Sequence, residues 1–266
     1  MRITLLVSSL WCAIFAASAT AHEFWIEAEQ YQVPSSGQLV ARLKNGEEFE
    51  GVSLAYFERS IARFDVAVGD TVRPVESRSG DNPALNAPGP VEGLVIVVHE
   101  TTPSSLTYKE WAKFQKFADH KDFADIEARH AANGFPPPPF KERYTRHAKA
   151  LIAVGDGLGQ DRGLGLKTEF IALNNPYAPD FDGTMRVQVT LDDDVRRNAQ
   201  VEVFDRAPDE TVTVSLYRTD DTGIATVPVT PGHTYLFDAV AIAPITNNED
   251  TVWDTFWAAL TFAVPG

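Results

Sequence analysis

The chain has 266 residues, 44% of them apolar and 23% charged, a composition that suits one large or two modest folded domains and excludes an intrinsically disordered chain. Its formal charge of −14 argues against nucleic acid or anionic lipid as a partner and is compatible with binding cations. No segment has the ~20 consecutive apolar residues of a membrane span, so direct membrane insertion is not expected.

Residues 1–21 read as a signal peptide. Arg2 is their only charge, an apolar run follows from Ile3 to Ala17, and Ala19-Thr20-Ala21 is the small-x-small pattern of a cleavage site. The expected mature protein is exported and begins at His22. Cleavage there places a free α-amine beside the His22 imidazole, and amine and Nδ1 together can close a chelate ring on one transition-metal ion. Cys12, the only cysteine, leaves with the leader, so a metal site in the mature chain must use nitrogen and oxygen ligands.

From His22 to Ala28, Glu23, Trp25 and Glu27 alternate with Phe24 and Ile26, which predicts an edge strand. A strand over Gln38 to Leu43 follows a Pro34-Ser35-Ser36-Gly37 turn, and Lys44-Asn45-Gly46-Glu47 reads as a further turn. Short strands at Ala62 to Val66 and Thr71 to Val75 precede a Pro/Gly/Asn loop and then Gly93 to His99, the strongest apolar run of this half. Between Thr107 and His130 the period changes. Trp111, Phe114, Phe117, Phe123 and Ile126 recur at three- and four-residue steps, predicting an amphipathic helix or a broken pair as an insertion over about 106–134. Leu106-Thr107 with Glu110 resembles a capping box, and Gly134 with Pro136 to Pro139 ends the segment.

Glu142 to Val154 reads as a strand re-entering the sheet, and Gly155 to Gly165 as a flexible loop without the lysine or strand-to-helix context of a phosphate loop. Beyond Asn174-Asn175-Pro176, short strands recur at Met185 to Leu191, Ala199 to Phe204, Thr211 to Arg218, Ile224 to Val229, Thr234 to Ile242 and Trp257 to Val264, with Asp221-Thr222-Gly223 as a hairpin signal. The expected fold is mainly β. An N-terminal β-rich domain over 22–175, with its helical insertion, precedes an immunoglobulin-like or transthyretin-like antiparallel β-sandwich over 176–266.

Three stretches carry a family resemblance: Ala21-His22-Glu23-Phe24-Trp25-Ile26-Glu27 behind its leader, Glu142-Arg143-Tyr144-Thr145-Arg146-His147-Ala148-Lys149-Ala150-Leu151, and the ending from Trp253 through Trp257-Ala258 to Leu260-Thr261-Phe262. Together they resemble the DUF4198 family. The resemblance implies a periplasmic component linked to nickel or cobalt uptake, with a membrane transporter component as partner. In that pattern the late strand reads Ala-Val-His, whereas here Asp238-Ala239-Val240-Ala241 places alanine where the histidine stands.

The candidate ligands are therefore His22, His99 and His147, with His120, His130 and Tyr144 as further candidates and Glu23, Glu27 or Asp238 as oxygen ligands or acceptors. A nitrogen-rich set of this kind suits Ni, Co or Cu, and copper wins by intrinsic affinity wherever it is available. The leading expectation is a metal-binding protein that delivers or buffers its ion for a transporter and is not an enzyme. Two others compete: a copper redox enzyme with an amine-histidine site, and a metal-free envelope interaction module. No Ser-His-Asp, HExxH or paired-carboxylate pattern recommends hydrolysis.

Overall fold

A computed structural model describes residues 22–248 and 250–266; the leader expected over 1–21 lies outside the described residues. In chain order the elements are β1 (Glu23–Ala28), β2 (Gln32–Val33), β3 (Gln38–Glu47), β4 (Glu50–Leu54), β5 (Ile61–Val68), β6 (Thr71–Pro74), β7 (Leu85–Pro88), β8 (Gly93–Thr101), β9 (Ser104–Tyr108), α1 (Trp111–His120), α2 (Ile126–Ala132) and β10 (Phe140–Val154). Then come β11 (Thr168–Ala172), β12 (Thr184–Leu191), β13 (Asp194–Val195), β14 (Gln200–Arg206), β15 (Val212–Arg218), β16 (Ile224–Pro228), β17 (Thr234–Pro244) and β18 (Thr251–Ala263). No helix among them is long and apolar enough to cross a membrane.

The strands form a layered β-sandwich. A ten-stranded sheet, in the order β15-β14-β17-β18-β10-β8-β5-β6 with β2 and β9 attached to β10, makes the middle layer. Alternation along its strands sends side chains to opposite faces. Leu94, Ile96, Leu151 and Phe237 pack with Phe170, Val187 and Val227 of the β11-β12-β13-β16 sheet. On the other face, Val95, Val97, Ala150, Ile152 and Leu236 pack with Phe24, Ile26, Leu39 and Leu85 of the sheet built from β1, β3, β4 and β7. The near-continuous apolar runs Ala148 to Val154 and Val95 to Val98 follow directly, because a strand covered on both sides has no wet face to keep polar.

At the centre, β10 and β18 run parallel, with Arg146 opposite Trp257 and Ala150 opposite Thr261. The middle sheet therefore takes strands from both sides of residue 176. A third apolar cluster, of Phe114, Phe117, Ile126, Phe140, Trp253 and Trp257, seats the two helices against the start of β10 and β18.

The helical insertion takes the broken-pair form, two helices, because Asp122 and Asp125 take left-handed backbone (φ 59° and 54°) and break the run between them. Other local expectations need correction. Thr107 lies in β9, paired to Lys141, so it caps nothing; Glu110 precedes α1 with no side-chain cap. Asn45, Gly46 and Glu47 belong to β3, and the turn falls at Glu48-Phe49 instead. Asp221-Thr222-Gly223 is a turn but not a hairpin: β15 before it joins the middle sheet and β16 after it pairs with β12. The last strand begins at Thr251, not Trp257.

Candidate functional site

His22 sits beside an acidic hairpin whose shape follows from register. Pairing Glu23 with Gly46 carries His22 alongside Glu47, at the end of β3. The β3-β4 turn has two residues, Glu48 and Phe49, both at positive φ (48° and 64°), the twist that a two-residue hairpin favours. Neither is glycine or asparagine, so the backbone is strained, and a side-chain anchor offsets this. Phe49 is buried edge-on to Trp25 at 5.9 Å, with the Arg206 guanidinium 4.5 Å from its ring centre.

The anchored turn holds Glu47, Glu48 and Glu50 around His22. With Glu210 from the β14-β15 connection they line an open groove of about 730 Å³. His22 Nε2 lies 3.6 Å from Glu47 Oε1, an ion-pair distance rather than a hydrogen bond. That Oε1 is itself buried and accepts no hydrogen bond among the described residues. Arg146 ties this end of β1 down, donating from Nη2 to His22 O at 2.9 Å and from Nη1 to Asn45 Oδ1 at 2.5 Å.

The adjoining residue opens onto a second, buried cluster. Lys121, just past α1, donates from Nζ to Glu202 Oε2 at 2.6 Å, Asp238 Oδ2 at 3.0 Å and Glu23 Oε1 at 3.2 Å. All four side chains are buried, and Nζ lies 5.0 Å from the Trp257 ring centre. Glu202 and Asp238 are direct cross-strand partners on β14 and β17, which is why two carboxylates meet. Burial drives the Glu23 carboxyl up to about 7 against the pull of Lys121, and burial likewise raises Asp238. Burial would also raise Glu202, but His120 Nε2 at 2.9 Å and the Lys121 ammonium together hold it below the ordinary range. Glu23, Glu202 and Asp238 have ligand atoms within 4.8 Å of one another, but the Lys121 ammonium occupies the point on which they converge.

The predicted histidines have different surroundings. His99 is buried between Phe24 and Phe64, with ring centres at 5.0 and 5.2 Å, and neither nitrogen has a hydrogen-bond partner. Burial, and then the nearby His147, push it down to about 3. His147 is buried with Nδ1 3.2 Å from Trp257 O and Nε2 3.6 Å from Glu100 Oε1. His22 thus precedes β1 of one outer sheet while His99 and His147 lie on β8 and β10 of the middle sheet, and the group of converging ligand atoms found among the described residues contains none of them. His120 faces Glu202. His130 is an aromatic-core residue: Nδ1 accepts from Trp253 Nε1 at 3.1 Å and Nε2 donates to Pro136 O at 2.9 Å. Tyr144 lies under the Arg146 guanidinium at 4.9 Å. Ala241, in the place of the absent histidine, is buried opposite Phe256.

Lys121, Glu202, Glu47 and Glu210 escaped the sequence reading. A usable signal existed for the cluster, since Glu202 and Asp238 interrupt apolar strands at positions whose neighbours at i±2, Phe204 and Leu236, face the core.

No curated protein sequence matches the chain. Among solved structures it is similar to the D0-D1 domain of Intimin, at 12% identity over 90% of this chain and 97% of that one with a TM-score of 0.23. It is also similar to a tetra-tandem repeat in the extending region of a large adhesion protein, at 8% identity over 91% and 49% of the two chains with a TM-score of 0.20. The family model described as "Domain of unknown function (DUF4198)" matches residues 19–243, most of the chain, and the protein belongs to that family.

Proposed function

We propose that this is an exported, periplasmic protein that captures a divalent transition-metal ion, Ni, Co or Cu, at His22 and passes it as cargo to a membrane transporter component. One observation carries the reading: the buried, unpartnered Glu47 Oε1 lies 3.6 Å from His22 Nε2, in a groove lined by further glutamates. A histidine that binds metal through one ring nitrogen commonly gives its other N–H to a carboxylate, which fixes ring orientation and raises ligand basicity. Glu47 is placed for that role when the α-amine and Nδ1 of a mature His22 hold the ion. Glu48, Glu50 and Glu210 would supply oxygen ligands and a local negative field. His99 and His147 then serve the fold beneath the groove.

The test needs protein with an authentic His22 terminus. Isothermal titration with Cu(II), Ni(II) and Co(II) should show one-to-one binding that weakens as pH falls, because protons compete with the metal for both nitrogens. One alanine added before His22 separates amine from imidazole and should weaken binding at least a hundredfold, and Glu47→Gln should weaken it about 10–100-fold. Equal affinity in the native and extended proteins would remove His22 as the anchor.

A second reading, a metal-free interaction module, has its own observation. β4 and β15 end their sheets and expose Val52 (63%) and Leu216 (61%), leaving two apolar strand edges for pairing with another chain. Absence of stoichiometric metal in protein taken from cells supplied with all three ions would favour it.

A further inference from the structure

Arginine side chains are concentrated where an acidic protein has least obvious use for them. β17 runs on past the end of β14: their ladder stops at Glu202 opposite Asp238, so Val240 and Ile242 lie beyond it. Arg196 donates from Nη2 to Val240 O at 2.6 Å, and Arg129 of α2 reaches Ile242 O from Nη2 at 3.4 Å. Together with Arg197 they line a recess of about 350 Å³ between the helices and the end of β17.

Capping two strand carbonyls explains one N–H on each of two arginines. It explains neither Arg197, which is exposed on the same wall, nor Arg196 Nη1, which is buried with no hydrogen-bond partner among the described residues. An orphaned donor on a cation is costly, more so than on a neutral group. Burial pulls the Arg196 guanidinium down to about 10, against the attraction of Asp238. The acids nearby are engaged elsewhere: Asp122, on the recess wall, is 2.7 Å from Arg218, and Asp238 is shared with Lys121. Three arginines thus line one small space in a chain of formal charge −14.

We propose that this recess is a binding site for a small oxyanion of the carboxylate or phosphate class. The guanidinium fork presents paired N–H donors at the spacing of two oxyanion oxygens, and Arg196 Nη1 has a donor in hand. The Arg129 guanidinium is held 5.4 Å from the Trp253 ring centre, so one wall is fixed before the anion arrives. A volume near the low end of the ~300–1,000 Å³ range of ligand pockets suits a phosphate or a carboxylate of a few carbons and excludes a polymer. The site stands apart from the His22 groove and does not depend on it.

Isothermal titration of the whole mature protein at low ionic strength, with inorganic phosphate and citrate as separate probes, decides the matter. Saturable one-to-one binding of either probe is expected, and the tighter of the two assigns the class. Arg196→Ala should weaken it at least tenfold. Arg197→Glu, which leaves both carbonyl caps in place and touches no buried group, should weaken it at least threefold and keeps the test valid if Arg196→Ala does not fold. Failure of both anions to saturate, or affinity unchanged in Arg197→Glu, overturns the proposal.

Discussion

Two lysines are buried in this protein, and their surroundings differ in a way that separates a closed ion cluster from an open one. Lys149 of β10 donates to Asp161 Oδ2 at 2.8 Å, Glu169 Oε1 at 2.9 Å, and the carbonyls of Arg162 and Phe170 at 3.1 and 2.9 Å. Glu169 in turn accepts the backbone N–H groups of Leu164, Gly165 and Leu166, so the loop before β11 folds around the carboxylate. Lys121 meets three carboxylates, one of which, Glu202, is also held by His120; among the described residues each cluster keeps one carboxylate oxygen without a hydrogen bond, Asp238 Oδ1 here and Asp161 Oδ1 beside Lys149. Burial raises two carboxyls around Lys121, Glu23 and Asp238, and one beside Lys149, Asp161, so the Lys121 cluster has more reason to take up a proton.

The largest effect should come from removing the cations. Lys121→Met and Lys149→Met each strand buried carboxylates and should cost ~3–5 kcal/mol in urea unfolding at pH 8. The two should part company on acidification. At pH 5 the Lys121→Met loss shrinks, because burial biases both Glu23 and Asp238 toward their neutral forms, while the Lys149→Met loss shrinks less, since the carboxyl that burial raises there is Asp161. Equal pH dependence in both variants would erase the distinction.

Next is the pH profile of the open cluster itself. Glu23 is raised from 4.5 to about 7, so the stability it contributes is complete below about 4.5 and is lost as pH rises through about 7. Glu23→Gln should flatten that part of the curve and stabilise the protein at pH 8 by up to ~3 kcal/mol. A slope in the same window should persist, because burial also raises Glu142 to about 7, against hydrogen bonds donated by Thr255 and Tyr108.

The smallest effect concerns His99, a buried titratable group with no partner of either kind. Its folded value of about 3 lies below the ordinary 6.5, so its contribution is present above 6.5 and is lost as pH falls toward 3, opposite in sign to Glu23. His99→Phe, between Phe24 and Phe64, should gain ~1–3 kcal/mol at pH 5, remove the acid-side loss, and leave the metal stoichiometry unchanged. Loss of metal binding in that variant would return His99 to the ligand set.

The strands were largely legible from local pattern, since Gly93 to His99 and Glu142 to Val154 carry apolar runs that only a covered strand explains. Pairing was not. Nothing local to Glu142 or Trp253 reveals that they lie side by side, and Asp221-Thr222-Gly223 marks a turn without telling which sheet each flank joins. The Glu48-Phe49 turn was hidden because an Asn45-Gly46 signal stood three residues earlier, and the true turn depends on Phe49 finding Trp25. At the candidate site, His22 was visible from chemistry alone. Lys121 was not, because its three partners arrive from β1, β14 and β17.

The parallel pairing of β10 with β18 also has a consequence for how the chain comes into being. It joins residues more than a hundred positions apart at the centre of the middle sheet, and β17 reaches β10 only through β18. During vectorial synthesis β10 therefore waits with one edge open until the final strand emerges. Folding by such distant contacts is slow, because the loop-closure entropy precedes the contacts that reward it. The protein consequently spends its early life as a long, strand-rich chain with an unfilled slot, a state that a holding chaperone would recognise.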